Sequence, residues 1–248
     1  MITETAEKLN HLSSRARSII SDYASMVQDS LGENLVSLIL FGSAAGEDFI
    51  EGKSDINTVV ILGDIRTPDL NIMTEILKKF ARKGLATPLM FERHHIKNSL
   101  DTFPIEFTDM KRKHILLYGE DPFDTANIEI KNLRYQCERE FKSLLVNLRR
   151  GFLLTEGKRE NIERLLENSL SSVIAACRGL IWIANQTPPA NISDLLAALG
   201  DLYRSDTSAI DRVWRLRKGQ SGATAMLEAL FDDYTNNIES LAAIADRL

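Results

Sequence analysis

Near the start of the chain apolar residues recur every three to four positions, at Leu9, Leu12, Ala16, Ile19, Ile20, Tyr23 and Val27. That spacing predicts an amphipathic helix ending near Gly32. Two compact apolar runs follow at residues 36–41 and 58–62, too short for ordinary helices and bounded by turn residues, so both predict strands. Thr67-Pro68-Asp69 then reads as cap, first-turn proline and first-turn acid of a helix running to Gly84, with Met73, Ile76, Leu77 and Phe80 on its apolar stripe. A third strand is expected over 87–93, a short helical or irregular piece through Leu100, and two more strands over 105–110 and 114–118. Tyr118-Gly119-Glu120-Asp121-Pro122 closes this region with turn chemistry.

Beyond it the period is helical throughout. Ile130, Leu133, Cys137, Phe141, Leu144, Leu148 and Phe152 form one stripe, a second runs from Ile162 to Ala184, and a third from Leu227 to Leu248. Shorter helices are expected over 193–217, after the Pro188-Pro189 break. Long amphipathic helices with short connections predict an antiparallel bundle. The chain therefore reads as α+β: a small mixed sheet with helices over 1–125, then an all-α helical bundle over 126–248, with the boundary inside 123–127.

Composition narrows the function. With 248 residues, 44 % of them hydrophobic, the chain can bury a full core. No apolar run reaches the roughly 18 residues that span a bilayer, and the first residues lack an apolar signal core, so no membrane role is expected and the protein reads as cytoplasmic. A formal net charge of -5 argues against nucleic acid as a partner. The two basic clusters, Lys111-Arg112-Lys113-His114 and residues 212–218, read as solvated faces. Cys137 and Cys177 lie in helix interiors without C-x-x-C spacing and read as reduced core thiols. The adjacent His94 and His95 point to different faces and are poor candidates for a shared metal. Gly179, near Trp182, would allow two helices to pack closely, and Trp182 and Trp214 read as core residues.

The chemistry concentrates between residues 38 and 62. An apolar strand runs into Gly42-Ser43, eleven residues follow, and Asp55-Ile56-Asn57 leads into the second apolar strand. Residues two apart on a strand point the same way, so Asp55 and Asn57 share a face while Ile56 enters the core. A glycine after a strand lets backbone N–H groups approach a phosphate, and Ser43 adds a hydroxyl donor. Asp55 offers a charged ligand to a hard cation, whereas Asn57 offers a neutral amide oxygen.

Gly42-Ser43, the spacing, Asp55-x-Asn57 and the flanking strands together resemble the signature of the polymerase-β-type nucleotidyltransferase superfamily. There, two acidic residues separated by one follow a Gly-Ser or Gly-Gly turn; here asparagine takes the second acidic position. The order of sheet and helical bundle is similar in layout to aminoglycoside adenylyltransferases, where the bundle closes over the acceptor.

The resemblance implies a Mg2+-dependent transfer of a nucleoside monophosphate from a nucleoside triphosphate to a hydroxyl of an unidentified acceptor, a small molecule or a protein. Asp55 and Asn57 would be the metal ligands. Gly42, Ser43, Lys53 and Ser54 would hold the nucleotide. A third carboxylate, which the superfamily carries on a later strand, would be Glu106, with Glu92 and Asp109 as fallbacks. With one carboxylate replaced, a single ion in place of two is open, and so is a second function: a catalytically impaired relative that binds a nucleotide or a partner protein. Wide apolar stripes in the bundle add the expectation of a homodimer.

Overall fold

The computed structural model describes residues 8–46, 49–52, 54–220 and 226–248. The chain clusters into two compact units: residues 1–100 with 106–128, and 101–105 with 129–248. The architecture is α+β, a mixed four-stranded sheet with flanking helices in the first unit and helices alone in the second. Among the described residues no helix is long and apolar enough to cross a membrane.

In the first unit α1 (Ser14–Leu31) begins where Ser13 Oγ accepts the Ala16 N–H at 3.1 Å, and stops at Gly32, whose φ of 52° ends the helix. Its stripe of Ala16, Ile19, Ile20, Tyr23, Val27 and Leu31 is buried, as the spacing predicts. β1 (Leu35–Phe41), β2 (Asn57–Leu62), β3 (Leu89–Glu92) and β4 (His114–Gly119) form a sheet of order β3-β2-β1-β4. β1 pairs antiparallel with β2 and β4, and β2 pairs parallel with β3. A parallel neighbour needs a crossover, which α2 (Thr67–Phe80) supplies.

Alternation along the strands gives the sheet two buried faces. Leu38, Leu40, Val60 and Leu62 pack with α1 and α2, while Ile39, Val59 and Ile61 pack with Ile96, Phe107, Met110 and Phe123. On the α1 side Tyr23 Oη and Thr58 Oγ1 lie 3.1 Å apart and satisfy one another in the core.

Two local expectations are corrected. The cap of α2 is Arg66, with Thr67 and Pro68 in the first turn, and Asp69 Oδ2 reaches back to accept the Arg66 N–H at 2.9 Å. Residues 105–110 form helix, not strand: α3 (His95–Asn98) is followed by α4 (Pro104–Arg112). The apolar pair Ile105 and Phe107 mimics a strand period. Proline in the first helical turn and burial at Pro104, Ile105, Phe107, Thr108 and Met110 follow the helical one.

The second unit holds α5 (Ile130–Leu153), α6 (Arg159–Ile183), α7 (Ile192–Tyr203), α8 (Ser208–Arg217) and α9 (Leu227–Arg247). One core runs through all five, from Leu133 and Phe141 through Leu180 to Tyr234 and Leu241. Cys137 and Cys177 are buried, unbridged thiols within it, and burial pushes the Cys177 thiol far up. Trp182 is buried there as well, and Trp214 packs, partly buried, against the same core. Gly179 lets α6 approach α5 so closely that a Cβ would collide with Cys137 Sγ.

Candidate functional site

The β1–β2 ladder brings the two halves of the motif together. Phe41 pairs with Asn57, so the chain leaves β1 and turns beside the start of β2. Gly42, at φ 73°, opens a 3-10 turn over Gly42–Ala45, which Gly46 closes by donating its N–H to the Ser43 carbonyl at 3.0 Å. A Cβ on Gly42 would lie 3.5 Å from Asn57 Nδ2, which sets the turn and that amide in van der Waals range. Ala44 anchors the turn in the α1-side core, and His11 Nε2 lies 3.1 Å from the Ala44 carbonyl oxygen.

Asp55 is exposed, Ile56 is buried in the α1-side core and Asn57 is half-buried, as the alternation requires. Ile56 donates its N–H to Gly84 O at 2.8 Å and accepts the Ala86 N–H at 3.0 Å, which fixes the strand before β2 proper. Asn57 Nδ2 donates over a long 3.4 Å to the Asp55 carbonyl, leaving Oδ1 as the atom that can meet a cation. Ser54 closes its own loop, its N–H donating to Ile50 O at 2.8 Å and its Oγ accepting the Ile50 N–H at 3.1 Å. Ser54 and Asp55 line a cleft of about 310 Å³ shared with Arg15, Arg82 and Lys83. Lys53 lies outside the described residues.

The third carboxylate is not where a strand would put it. Glu106 is exposed in the first turn of α4, whose Phe107 and Met110 cover the face that carries Val59 and Ile61 and, by alternation, Asn57. Glu92 pairs with Leu62. That is five residues along β2 from Asn57, or about 16 Å at strand spacing, too far to share an ion. The segment leading into β3 runs beside Asn57 between the Ile56–Leu85 bridge and the Val59–Leu89 pair, as Leu85, Ala86, Thr87, Pro88 and Leu89, with no acid among them.

Two further residues reach this region. The Lys113 side chain passes over Gly46 so closely that a Cβ there would collide with its Cε, which brings a cation to the end of the Gly-Ser turn. His114 pairs with Phe41 on the side away from Asn57, and its Nε2 lies 2.8 Å from Asp121 Oδ2. Asp121 is itself fixed by accepting the Phe123 N–H at 2.9 Å. As part of a basic run both residues read as solvated; the register of β4 on β1 is what places them, and no local pattern carries it.

Mg2+ takes one or two carboxylates besides phosphate oxygens and waters. Asp55 with Asn57 Oδ1 suits one such ion. The Asp-x-Asn pair itself supplies one acid, Asp55, with Glu51 lining the same cleft, and among the described residues no group of three His, Cys, Asp or Glu could hold a metal.

No sequence-family model matches the chain, and no curated protein sequence does. Solved structures do. Spectinomycin adenyltransferase AAD(9) from Enterococcus faecialis, crystallised with ATP and spectinomycin, is 13 % identical and covers 90 % of this chain and 99 % of its own, with a TM-score of 0.58. A nucleotidyltransferase-like protein from Exiguobacterium sibiricum 255-15 is 14 % identical, covering 92 % of this chain and 73 % of its own at a TM-score of 0.37. At such identities the likeness is one of fold. The chain has the nucleotidyltransferase fold in the layout of the adenyltransferase, a small mixed sheet followed in sequence by helices.

Proposed function

We propose that the first unit binds a nucleoside triphosphate at Gly42, Ser43, Asp55 and Asn57, and that the chain transfers its nucleoside monophosphate to a hydroxyl of a small molecule or protein. The observation that carries this reading is the pairing of Phe41 with Asn57, which sets a left-handed Gly42 turn beside the Asp-x-Asn strand. The fold shared with an adenyltransferase solved with ATP supports it.

Backbone N–H groups of the turn and the Ser43 hydroxyl would hold phosphate oxygens, and the Lys113 ammonium beside Gly46 would offset their charge. The acceptor oxygen forms the new bond to the α-phosphorus, the bond to the bridging oxygen breaks, pyrophosphate leaves, and the hydroxyl proton passes to a base. Asp55 and the Asn57 amide oxygen would hold Mg2+, which when bound supplies neutralising charge at the phosphates. Glu106 stands as the proposed base.

A second reading, a protein that binds nucleotide without transferring it, is favoured by one observation: asparagine at 57 beside a segment with no acid from Leu85 to Leu89. Calorimetric titration with ATP, GTP, CTP and UTP, with and without Mg2+, tests the binding shared by both. Mg2+-dependent binding of one nucleotide, lost in Asp55→Ala, is the expected result, and no binding to any of the four would end both readings. Release of pyrophosphate with a panel of hydroxyl acceptors then separates transfer from binding alone.

A further inference from the structure

The geometry points to the cleft beside Asp55 as the seat of magnesium-bound polyphosphate, the β- and γ-phosphates of the triphosphate. The inference rests on the nucleotide-binding reading above and deepens it. Arg15 reaches the cleft from the first turn of α1, Glu51 and Asp55 from the segment before β2, and Arg82 and Lys83 from the 3-10 turn Ala81–Lys83 that follows α2. Its volume of about 310 Å³ stands at the lower end of small-molecule sites, roughly 300–1,000 Å³.

The cleft carries charges of both signs, and a metal polyphosphate uses both. A carboxylate takes the hard cation, while guanidinium and ammonium groups take the phosphate oxygens. Asp55 joins the two halves of the site, since it belongs to the Asp-x-Asn pair and also lines the cleft. Asn57, two residues or about 7 Å further along the chain, stands beside the Gly42 turn. A triphosphate whose α-phosphate rests at that turn therefore carries its tail past Asp55 toward Arg82 and Lys83, both exposed. The Lys83 ammonium lies 4.8 Å from the centre of the Phe80 ring, which steadies it without engaging an oxygen acceptor. Glu51 opposes phosphate, but its carboxylate faces Arg15, 3.9 Å from Nε. With Mg2+ held at Asp55 the balance of charge in the cleft favours the polyanion.

Calorimetry on the full chain in Mg2+ tests this with tripolyphosphate, ATP and AMP as probes. It compares wild type, Arg82→Gln/Lys83→Gln and, as a control for charge, Lys78→Gln/Lys79→Gln one turn earlier on α2. All four side chains are exposed, so both variants should fold, which circular dichroism checks. Expected is tripolyphosphate and ATP binding about tenfold weaker in the cleft variant, the size of one charge-assisted hydrogen bond, with AMP unchanged and the control like wild type. Unchanged affinities in the cleft variant, or equal losses in both variants, would overturn the inference while leaving nucleotide binding intact. Loss of tripolyphosphate with ATP unchanged would overturn the assignment to the nucleotide's own tail and give the cleft to a phosphate from another source, such as a phosphorylated acceptor. Absence of ATP binding in wild type would instead remove the reading beneath it, and the inference with it.

Discussion

Phe41 stands directly opposite Asn57 on the β1–β2 ladder, and the residue after Phe41 is the left-handed Gly42. A ladder partner and a turn glycine thus bring together segments fourteen residues apart in sequence, from Ser43 to Asn57. The ladder fixes the distance between the Gly42 turn and the Asp55-x-Asn57 strand with backbone hydrogen bonds.

Replacing Gly42 by alanine separates strain from contact. The added Cβ would rest 3.5 Å from Asn57 Nδ2, an ordinary contact, so its cost comes from the φ of 73°. Left-handed backbone costs an L-residue about 1–2 kcal/mol. Urea unfolding of Gly42→Ala should show a loss of that size at unchanged m-value, together with weaker nucleotide affinity as the turn tilts. An unchanged midpoint would mean that the turn relaxes to negative φ at no cost.

Gly179→Ala tests packing in the helical unit. The new methyl collides with Cys137 Sγ, a short side chain with little room to withdraw. Overpacking of this kind costs about 1–3 kcal/mol. Combining it with Cys137→Ala should return part of the loss, a non-additivity that thermal unfolding of the single and double variants measures. Additive effects would show that the two helices move apart instead.

The sheet, its flanking helices and the motif were legible because each rests on local signals: the stripe from Ala16 to Val27, the runs of Leu38 to Phe41 and Val59 to Leu62, and the Gly42 turn. The segment from Pro104 to Met110 was not, because Ile105 and Phe107 satisfy the strand period while their burial with Thr108 and Met110 follows the helical one. Proline at the start was the available signal. The register between strands was hidden in a different way. That Glu92 faces Leu62, that Leu89 stands beside Val59, and that His114 pairs with Phe41 are all matters of register between strands far apart in sequence. No periodicity within one strand encodes its offset against another.

Asn237 ties α9 to the start of α8. Its Oδ1 accepts the buried Ala209 N–H at 3.0 Å and its Nδ2 donates to Asp206 Oδ2 at 3.2 Å. Asn237→Ala leaves a buried donor unpaired, at a cost of about 1–3 kcal/mol. Asp206 is held below the usual carboxylate range, chiefly by the Ser208 N–H, then by the Ser208 hydroxyl and Asn237. A carboxyl depressed by folding stabilises above its unfolded pKa, and that contribution is lost as pH falls through the folded value. Denaturation profiles should therefore show a gap between wild type and Asn237→Ala that narrows in acid. A gap constant with pH would mean that Asn237 acts through Ala209 alone.

Tyr23 gives the alkaline counterpart. Burial pushes its hydroxyl up to about 12, against a smaller lowering by Thr58. The unfolded chain releases this proton near its ordinary value of about 10, while the folded chain keeps it, so stability present below that pH is lost progressively toward the folded value. At neutral pH Tyr23→Phe should be the weaker protein by about 1 kcal/mol, since Thr58 Oγ1 loses its partner in the core. Above pH of about 11 the order should reverse, because phenylalanine carries no proton for the unfolded state to release. Tyr203 and Tyr234 are also raised by burial and steepen both curves alike, so the difference between them isolates Tyr23. Urea midpoints of the two proteins at pH of about 8, 10 and 11.5 measure it. Parallel curves would show that Tyr23 ionises in the folded protein as freely as in the unfolded one.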